Sequence, residues 1–379
     1  MTNKPSAVVI GAGQSGRGFV SRFFYKSGYH LTFIDKNEKL VNYLREDNFF
    51  TVHCFDESVK PVHIQNFNAY QAGSSDANNA VEHADVLLIS VGQQNLPGVA
   101  ADIASAVQRR REAGVSALKI LVCENGVSPG QIFSEALAGR LGGHDDFNVA
   151  ELAIFCTTNV LKKTRLDIGT EDYNRAPYNA AALGEVLPVD GLDPEPDMSN
   201  LLKRKIYTYN FISAIVTYLG AYKGIEDYAT AANDPEVRAV IHSVVPELNQ
   251  ALCQVLGVDA DSQTTFSDNA LKKFSNPTIE DYVSKNAREV SRKLRSDDRM
   301  IAPANMIKGI QGDTNIIAIV IAAAILWGEK NENLLDTYKS PREVLIKLSG
   351  VGENAELIHQ VEHHYAELKT GKKISQLLQ

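Results

Sequence analysis

The stretch that decides the fold is Ala7-Val8-Val9-Ile10-Gly11-Ala12-Gly13-Gln14-Ser15-Gly16, near the start of the chain. A short apolar run of strand length leads directly into a G-x-G-x-x-G pattern, which is the context of a dinucleotide-binding loop. Gly11 permits a tight turn, Gly13 lets the backbone approach a pyrophosphate, and Gly16 allows a helix to pack closely on the strand. The helix start at Gln14, Ser15 and Gly16 offers unpaired N–H groups to an anion. The alternative is that the glycines only make a tight turn.

An acidic residue with the spacing expected for a ribose ligand follows this loop. Asp35 ends the apolar run Leu31–Ile34, about 20 residues beyond the glycines, where a carboxylate accepts hydrogen bonds from the ribose hydroxyls. The same carboxylate repels a 2′-phosphate, although Lys36 beside it softens that preference. The pattern predicts NAD rather than NADP as the cofactor.

The pattern of apolar residues changes along the chain and predicts two domains. Val86–Val91 and Lys119–Cys123 are near-continuous apolar runs, typical of strands that are covered on both faces. A proline-marked, acidic section follows Tyr173, and beyond Asn200 apolar residues recur at helical spacing. We expect an α/β protein, with an N-terminal Rossmann-type parallel-sheet domain over residues 1–196 that binds NAD. A mostly α-helical substrate and catalytic domain should follow over residues 197–379.

Composition and charge favour small-molecule chemistry. The 379 residues are 44% hydrophobic, which supports a large core, and 38 Lys and Arg stand against 46 Asp and Glu. The net charge of −8 disfavours nucleic acid and anionic membranes as partners. Ile316–Trp327 is too short to cross a bilayer and is expected to be a buried core helix. The chain start lacks the features of a signal peptide, so we expect a cytoplasmic protein, monomeric or a small homo-oligomer.

The four cysteines do not form a metal-binding pattern. They are scattered, without a C-x-x-C pair or a histidine at zinc spacing. We expect all four to be reduced and buried: Cys54, Cys123, Cys156 and Cys253.

Two segments follow predicted strands of the N-terminal domain, Ser90–Gln94 and Cys123–Gly126. Ligands of doubly wound sheets bind beyond the carboxyl ends of the strands, so Val91 and Gly92 are predicted to contact the cofactor. Asn125 is placed near the cofactor by the same argument. It could equally be a turn-forming residue ahead of Gly126.

A second candidate segment, Leu201–Ser213, opens the helical domain. Asn210 and Ser213 share one face of an α-helix, and Lys205 approaches that face from one side. A lysine desolvated beside a cationic cofactor ring could transfer a proton near neutral pH, because both effects lower its pKa. The alternative is that Lys203–Lys205 is a solvated basic face.

Three further groups of charged residues have a functional and a structural interpretation. One basic helical stripe, at three- and four-residue spacing, could bind a substrate phosphate or carboxylate, or could pair with nearby acids: Lys285, Arg288, Arg292, Arg295 and Arg299. Arg109–Arg111 is expected at a helix C-terminus. His359, His363 and His364 have a spacing that suggests metal binding, but a polar C-terminal helix favours a solvated face, and no metal is predicted.

The ordered set of motifs resembles the polyol-specific long-chain dehydrogenase/reductase family, also called the mannitol dehydrogenase family. The similarity runs over nearly the whole chain and rests on these segments: Gly11–Phe19, Phe33–Asn37, Cys123–Asn125, Arg204–Asn210, Tyr218–Gly220, Asn276–Pro277, Arg292–Leu294 and Asp298–Arg299. The resemblance implies a metal-independent oxidoreductase that interconverts a sugar alcohol and a ketose with NAD, the alcohol being phosphorylated, as in mannitol 1-phosphate. It also implies that Lys205 is the general acid/base and that Asn125 and Asn210 hold the reacting oxygen.

Two departures from the family pattern touch the substrate side. Ser213 stands where the family has histidine, and a Val-Asp-Arg-Ile segment is replaced around Ile154–Thr157. Ser213 cannot carry charge near neutral pH, so the exact polyol stays open. Arg292 and Arg299 are the candidates for binding a substrate anion. The alternatives are a hexuronate-type sugar-acid reductase of the same family and an NAD-binding sensor without turnover.

Overall fold

The structure is a computed structural model that describes residues 4–126, 128–161, 164–353 and 355–378. The chain divides into two compact units, Met1–Leu202 and Lys203–Gln379. Among the helices in the described ranges, none combines the length and apolar character that a bilayer crossing requires.

The strands all lie in the first unit. Their bounds are β1 (Ser6–Ile10), β2 (His30–Asp35), β3 (Phe49–Cys54), β4 (Val62–Gln65), β5 (Asn68–Gln71), β6 (Val86–Ile89), β7 (Leu118–Val122), β8 (Phe147–Glu151), β9 (Thr158–Val160), β10 (Ile168–Thr170), β11 (Ala176–Tyr178) and β12 (Leu192–Pro194), as far as the structure describes the chain.

Six of these strands form a parallel sheet in the order β5-β2-β1-β6-β7-β8. This is the strand order of a doubly wound Rossmann fold. From β1 the sheet extends through β2 to β5 at one edge, and the chain then returns to the other side of β1 and continues through β6 and β7 to β8. Val9 of β1 pairs with Phe33 of β2 on one side and with Leu88 of β6 on the other. The predicted α/β class with a parallel Rossmann-type sheet is confirmed.

Hydrophobic cores cover both faces of this sheet, which explains the near-continuous apolar runs. Val9, Phe33 and Leu88 belong to one core, and Val8 and Leu87 belong to the core of the opposite face. Successive residues of a strand point to opposite faces, so both must be apolar when both faces are covered. Two small sheets, in the orders β4-β3-β10-β9 and β11-β12, complete the strands of the unit.

Helices connect the parallel strands of the first unit. A π-helical turn, Gly16–Val20, precedes the first of them, and a short 3₁₀ turn, Gln93–Asn95, precedes the fourth. The helices are α1 (Ser21–Lys26), α2 (Glu38–Asp47), α3 (Ser75–Glu82), α4 (Leu96–Glu112), α5 (Pro129–Leu141), α6 (Ala180–Leu183) and α7 (Met198–Lys205), which continues into the second unit. Arg109, Arg110 and Arg111 lie in the last turn of α4, as predicted.

The second unit is helical throughout the part that the structure describes. Its helices are α8 (Phe211–Tyr222), α9 (Tyr228–Asn233), α10 (Pro235–Leu256), α11 (Ala260–Phe274), α12 (Val283–Ala287), α13 (Val290–Lys293), α14 (Ile301–Gly309), α15 (Asn315–Asn331), α16 (Leu334–Tyr338), α17 (Pro341–Glu343), α18 (Glu356–Lys369) and α19 (Ile374–Leu377), with π-helical turns at Ile206–Asn210 and Val344–Leu348. Helix α15 is largely buried and packs on α8 and α18, so the predicted core helix is confirmed.

Long helices of this unit begin and end at residues that suit their positions. Asp234 precedes α10 and accepts hydrogen bonds from the N–H groups of Glu236 and Val237, at 3.0 and 3.2 Å. Pro235 occupies the first turn, where the absence of its N–H has no cost, and Gly257 ends the helix in the left-handed conformation. Local sequence therefore fixes both ends of α10.

The predicted basic stripe is not one helix. Arg288 is extended and Glu289 is left-handed with φ 62°, so α12 ends before α13 begins. The break is stabilised because the N–H groups of Glu289 and Val290 donate to the Glu332 carboxylate, at 2.7 and 2.9 Å. The alternative in which the basic residues pair with nearby acids is observed in part, since Lys285 Nζ lies 3.1 Å from Asp281 Oδ1.

Two predictions about burial were wrong. All four cysteines are free, but only Cys123 and Cys156 are buried, while Cys54 and Cys253 are half-buried. His364 is 3% exposed and therefore does not lie on a solvated face.

Candidate functional site

The glycine-rich loop after β1 is closed on one side and open on the other. Gly11 has φ 93°, and a Cβ there would clash with the carbonyl oxygen of Ser90. A Cβ at Gly16 would clash with the carbonyl oxygen of Gly11. No atom lies within 4 Å of the position that a Cβ would take at Gly13. The backbone at Gly13 is therefore accessible to a ligand, as the sequence pattern requires.

Asp35 connects the end of β2 to this loop. Its Oδ2 accepts a hydrogen bond from the Ala12 N–H at 2.8 Å, and its Oδ1 accepts one from the Asn37 N–H at 2.8 Å. A carboxylate has about four lone-pair sites, so both oxygens can still accept from a ligand. The sequence predicted a ribose ligand at this position but not its second role in holding the loop.

A cavity of about 360 Å³ lies beside Asp35 and the loop. Four predicted cofactor residues line it: Gly11, Gly13, Asp35 and Val91. Of the other four predicted cofactor residues, Gln14, Ser15 and Gly16 form the helix start after the first loop, and Gly92 follows Val91 in the second loop. The sequence reasoning missed the largely apolar wall that α3, α4 and the end of β2 contribute: Ile34, Ala77, Val81, Val99 and Ile103. No motif marks that wall, because its residues are ordinary buried positions of separate elements.

One carboxylate joins the loops that follow β6 and β7. Glu124 is 9% exposed, and its Oε1 accepts hydrogen bonds from the N–H groups of Val91 and Gly92, each at 2.6 Å. A Cβ at Gly126 would clash with the side chain of Gln93, so the two loops also touch there. Asn125 lies between these contacts and is exposed. The predicted candidate Asn125 is thus held on a firmly connected edge of the sheet.

Lys205 is buried in the second unit. It ends α7 and is 4% exposed, so it is not part of a solvated basic face. Burial lowers its pKa to about 7, and the positive charges of Lys273 and Arg299 act in the same direction. Near neutral pH the ammonium and the neutral amine are both populated, which is the property a proton-transfer group needs.

The π-helical turn Ile206–Asn210 follows Lys205 immediately. In such a turn hydrogen bonds join residues five apart, and π-turns are frequent at functional sites. Lys205 and Asn210 are five residues apart, so the turn changes the offset that a regular α-helix would give them. The sequence did not reveal this turn.

Ser213 has a buried partner. The Tyr228 hydroxyl donates to Ser213 Oγ at 2.7 Å, and burial raises the pKa of Tyr228, which keeps it protonated. The serine hydroxyl can still donate one hydrogen bond of its own. Tyr228 was not predicted, and nothing in its sequence context distinguishes it from other core tyrosines.

Arg292 and Arg299 share one acidic partner. Arg299 Nε lies 2.8 Å from Asp298 Oδ1, and Arg292 Nη1 lies 3.5 Å from Asp298 Oδ2. Asp298 is half-buried, and Arg292 also contacts Glu289 at 3.0 Å. Two carboxylates therefore face the two guanidinium groups, and the charges of this cluster balance.

A second buried lysine adjoins this pair and was missed by the sequence reasoning. Lys293 is 6% exposed, donates to the Asn286 carbonyl, and lies 5.7 Å from the ring centroid of Tyr218. Burial lowers its pKa to about 7, with further lowering by Arg299 and Arg292. Lys293 lies within a basic run, and the sequence alone does not show which lysine of such a run is buried.

Two models of one protein family match most of the chain. The Rossmann domain of the mannitol dehydrogenase family matches residues 5–161, and the C-terminal domain of the same family matches residues 197–370. The chain belongs to the mannitol dehydrogenase family. The predicted family is confirmed, and so is the predicted class of enzyme, an NAD-dependent polyol dehydrogenase.

Members of the mannitol dehydrogenase family resemble the chain over its full length. A mannitol-1-phosphate 5-dehydrogenase of Caldanaerobacter subterraneus subsp. tengcongensis is 27% identical and aligns over 97% of this chain and 99% of its own. The protein of the same name from Oceanobacillus iheyensis is 28% identical, with 98% of each covered. In fold, the chain is similar to Pseudomonas fluorescens mannitol 2-dehydrogenase, solved as a ternary complex with NAD and D-mannitol. That structure has a TM-score of 0.81 at 15% identity, over 100% of this chain and 94% of that one.

Proposed function

We propose that the protein interconverts a phosphorylated sugar alcohol, of the mannitol 1-phosphate type, and the corresponding ketose, with Lys205 as general acid/base. The observation that carries the proposal is a buried Lys205 whose pKa is lowered to about 7, in a chain of the mannitol dehydrogenase family. Relatives named mannitol-1-phosphate 5-dehydrogenase, at 27% identity over nearly the whole chain, support the phosphorylated substrate.

The residues of the first unit fit NAD. The open backbone at Gly13 and the loop after it would hold the pyrophosphate, and Asp35 would accept hydrogen bonds from the ribose hydroxyls. The apolar wall of the 360 Å³ cavity would pack against an adenine ring. When bound, NAD supplies the acceptor for a hydride. The division of labour between an NAD-binding domain, residues 1–196, and a substrate domain, residues 197–379, is part of this proposal.

Lys205 would move the proton. In the direction of oxidation, its neutral Nζ accepts the proton of a secondary hydroxyl; in the direction of reduction, its ammonium returns a proton to the oxygen. Burial and the nearby charges of Lys273 and Arg299 keep either form accessible at neutral pH.

Asn125 and Asn210 are proposed to donate hydrogen bonds to the reacting oxygen. A neutral amide N–H can donate to the oxygen of the alcohol and to that of the alkoxide-like form. The hydrogen bond becomes stronger as negative charge grows on that oxygen. Asn210 directly precedes α8 and closes the π-helical turn that begins after Lys205, so this turn sets its orientation.

Arg292 and Arg299 are proposed to bind the substrate phosphate. A guanidinium binds phosphate through two parallel hydrogen bonds, and Asp298 holds both side chains in place. Ser213, with its remaining donor, would contact a neutral hydroxyl of the substrate rather than a charged group. A cytoplasmic location and a monomeric or small homo-oligomeric state also remain predictions.

NADH oxidation measured with matched ketoses tests the proposal. The panel contains fructose 6-phosphate, fructose, and a hexuronate-type keto acid, each with NADH and with NADPH. We expect the highest kcat/KM for fructose 6-phosphate with NADH, and a much smaller value for fructose. A preference for the keto acid would identify a sugar-acid reductase, and NADH binding without turnover of any compound would identify a sensor. Either result would contradict the proposal.

A further inference from the structure

Three potential metal ligands meet on helix α18, outside the residues assigned to the dehydrogenase. Glu367 Oε2 lies 3.3 Å from His363 Nε2 and 3.8 Å from His364 Nδ1. One ligand atom from each of the three residues lies within 4.8 Å of the other two. The two histidines were predicted to lie on a solvated face, which only His363 does.

The ring of His364 has a defined tautomer and an unused nitrogen. His364 Nε2 lies 2.8 Å from Asn315 Oδ1, and because an amide oxygen only accepts hydrogen bonds, Nε2 carries the proton. In the neutral ring Nδ1 then has a lone pair. Within the described residues this buried Nδ1 has no hydrogen-bond partner, although only 4% of the side chain is exposed. A buried acceptor without a partner destabilises the folded state, and a bound ligand would supply the missing partner.

Glu367 faces His364 Nδ1 but does not form a hydrogen bond with it. A carboxylate is also an acceptor, and 3.8 Å is too long for a hydrogen bond between Glu367 and His364. The Lys372 ammonium contacts the other oxygen of Glu367, Oε1, which leaves Oε2 directed at the two histidines. His363 Nε2, His364 Nδ1 and the anionic Oε2 of Glu367 thus lie close together, and His363 Nε2 has a lone pair in the tautomer that carries the proton on Nδ1.

We propose that His363, His364 and Glu367 bind a divalent transition-metal cation of the zinc type. Two imidazole nitrogens and one carboxylate oxygen form a usual ligand set for Zn²⁺, whose bonds of about 2.0–2.1 Å place neighbouring tetrahedral ligands about 3.3 Å apart. The observed separations from Glu367 Oε2 are 3.3 and 3.8 Å, and all three ligand atoms lie within 4.8 Å of one another, so metal binding would draw them closer together. Mg²⁺ and Ca²⁺ prefer all-oxygen sites and are disfavoured.

Asn315 completes the arrangement from a second helix. Histidine ligands usually donate their other N–H to an acceptor, which fixes the ring and its basicity. Asn315 begins α15, so metal binding on α18 would act through His364 on the contact between these two helices. Three protein ligands leave a fourth position open to water.

Zinc titration of the untagged, full-length protein after chelator treatment tests this site, with a chromophoric chelator as competitor. We expect one equivalent to bind to the wild type. His363→Ala and Glu367→Gln should each weaken binding at least about tenfold, and Asn315→Ala about tenfold, as is typical for outer partners of metal ligands. Neither His363→Ala nor Glu367→Gln removes a buried side chain, so both variants should fold, which circular dichroism checks. Co²⁺ as a probe should give the intense visible absorption of a four-coordinate site.

His359→Ala provides a matched control, because His359 is an exposed histidine one turn before His363 on the same helix. It should leave the affinity unchanged. If zinc does not bind at one equivalent, or if His363→Ala and Glu367→Gln bind as the wild type does, the site does not exist. A loss in His359→Ala equal to that in His363→Ala would show adventitious binding by exposed histidines and would also overturn the proposal.

Discussion

Alcohol oxidation should accelerate about tenfold between pH 6 and pH 8 and then level off, whereas ketone reduction should slow over the same interval. The reason is the pKa of about 7 at Lys205. Oxidation needs the neutral amine, which increases as the pH rises through 7. Reduction needs the ammonium, which is lost over the same range.

The size of the change in oxidation rate with pH distinguishes a buried lysine from one with an ordinary pKa. With a pKa of about 7, roughly one amine in ten is neutral at pH 6 and nine in ten are neutral at pH 8. A lysine with the ordinary pKa of 10.5 would instead give a rise of about 100-fold over these two pH units and no plateau below pH 9.

The assay is kcat/KM measured in both directions from pH 5.5 to 9.5. A phosphate monoester itself titrates near pH 6, so the residual activity of Lys205→Ala serves as the reference profile. Lys203→Ala, two residues earlier on α7 and only half-buried, should behave as the wild type. Lys293→Met tests the other buried lysine of similar pKa. The reasoning is refuted if the inflection near pH 7 survives in Lys205→Ala, or if oxidation keeps rising linearly beyond pH 9.

The remaining predictions concern the cofactor, the reacting oxygen and the substrate side. Asp35→Asn should reduce the preference of kcat/KM for NAD over NADP and should also weaken binding of both, because the single amide oxygen can accept from only one of the Ala12 and Asn37 N–H groups; unchanged discrimination would remove Asp35 from the ribose site. Asn125→Asp should lower kcat about 10²–10³-fold with little change in KM, since a carboxylate repels the developing charge; a change in KM alone would contradict this role. Ser213→His should alter the order of substrate preference and break the Tyr228 contact, whereas Tyr228→Phe breaks the contact alone. If Ser213→His treats every substrate of the panel as the wild type does, position 213 does not contact substrate.

What the sequence predicted well depends on near neighbours in the chain. The turn at Gly11 and the two-sided burial of Val8 and Val9 are local consequences of a glycine and of consecutive apolar residues. The ends of α10 are similarly determined by Asp234 and Gly257. Such features can be predicted because the residues that cause them are adjacent.

What the sequence missed depends on distant residues. The basic run after Lys285 breaks because Glu332, more than 40 positions later, binds the N–H groups at the break. Likewise, the low pKa of Lys205 arises from burial and from the charges of the distant residues Lys273 and Arg299. Glu124 lies in the predicted Cys123–Gly126 segment, but its role was missed because the N–H groups that it binds lie in another loop. Periodicity and motifs carry no information about such pairings.

The π-helical turns have a consequence for how this chain can change in length during evolution. Among the three π-helical turns of the described residues, one follows Ser15 and another follows Lys205, so each unit carries an extra residue in its helical winding directly beside its proposed functional residues. Deleting a single residue from Ile206–Asn210 would restore ordinary α-helical winding and change the offset between Lys205 and Asn210, which the π-helical turn sets. These two segments should therefore tolerate substitutions far better than insertions or deletions.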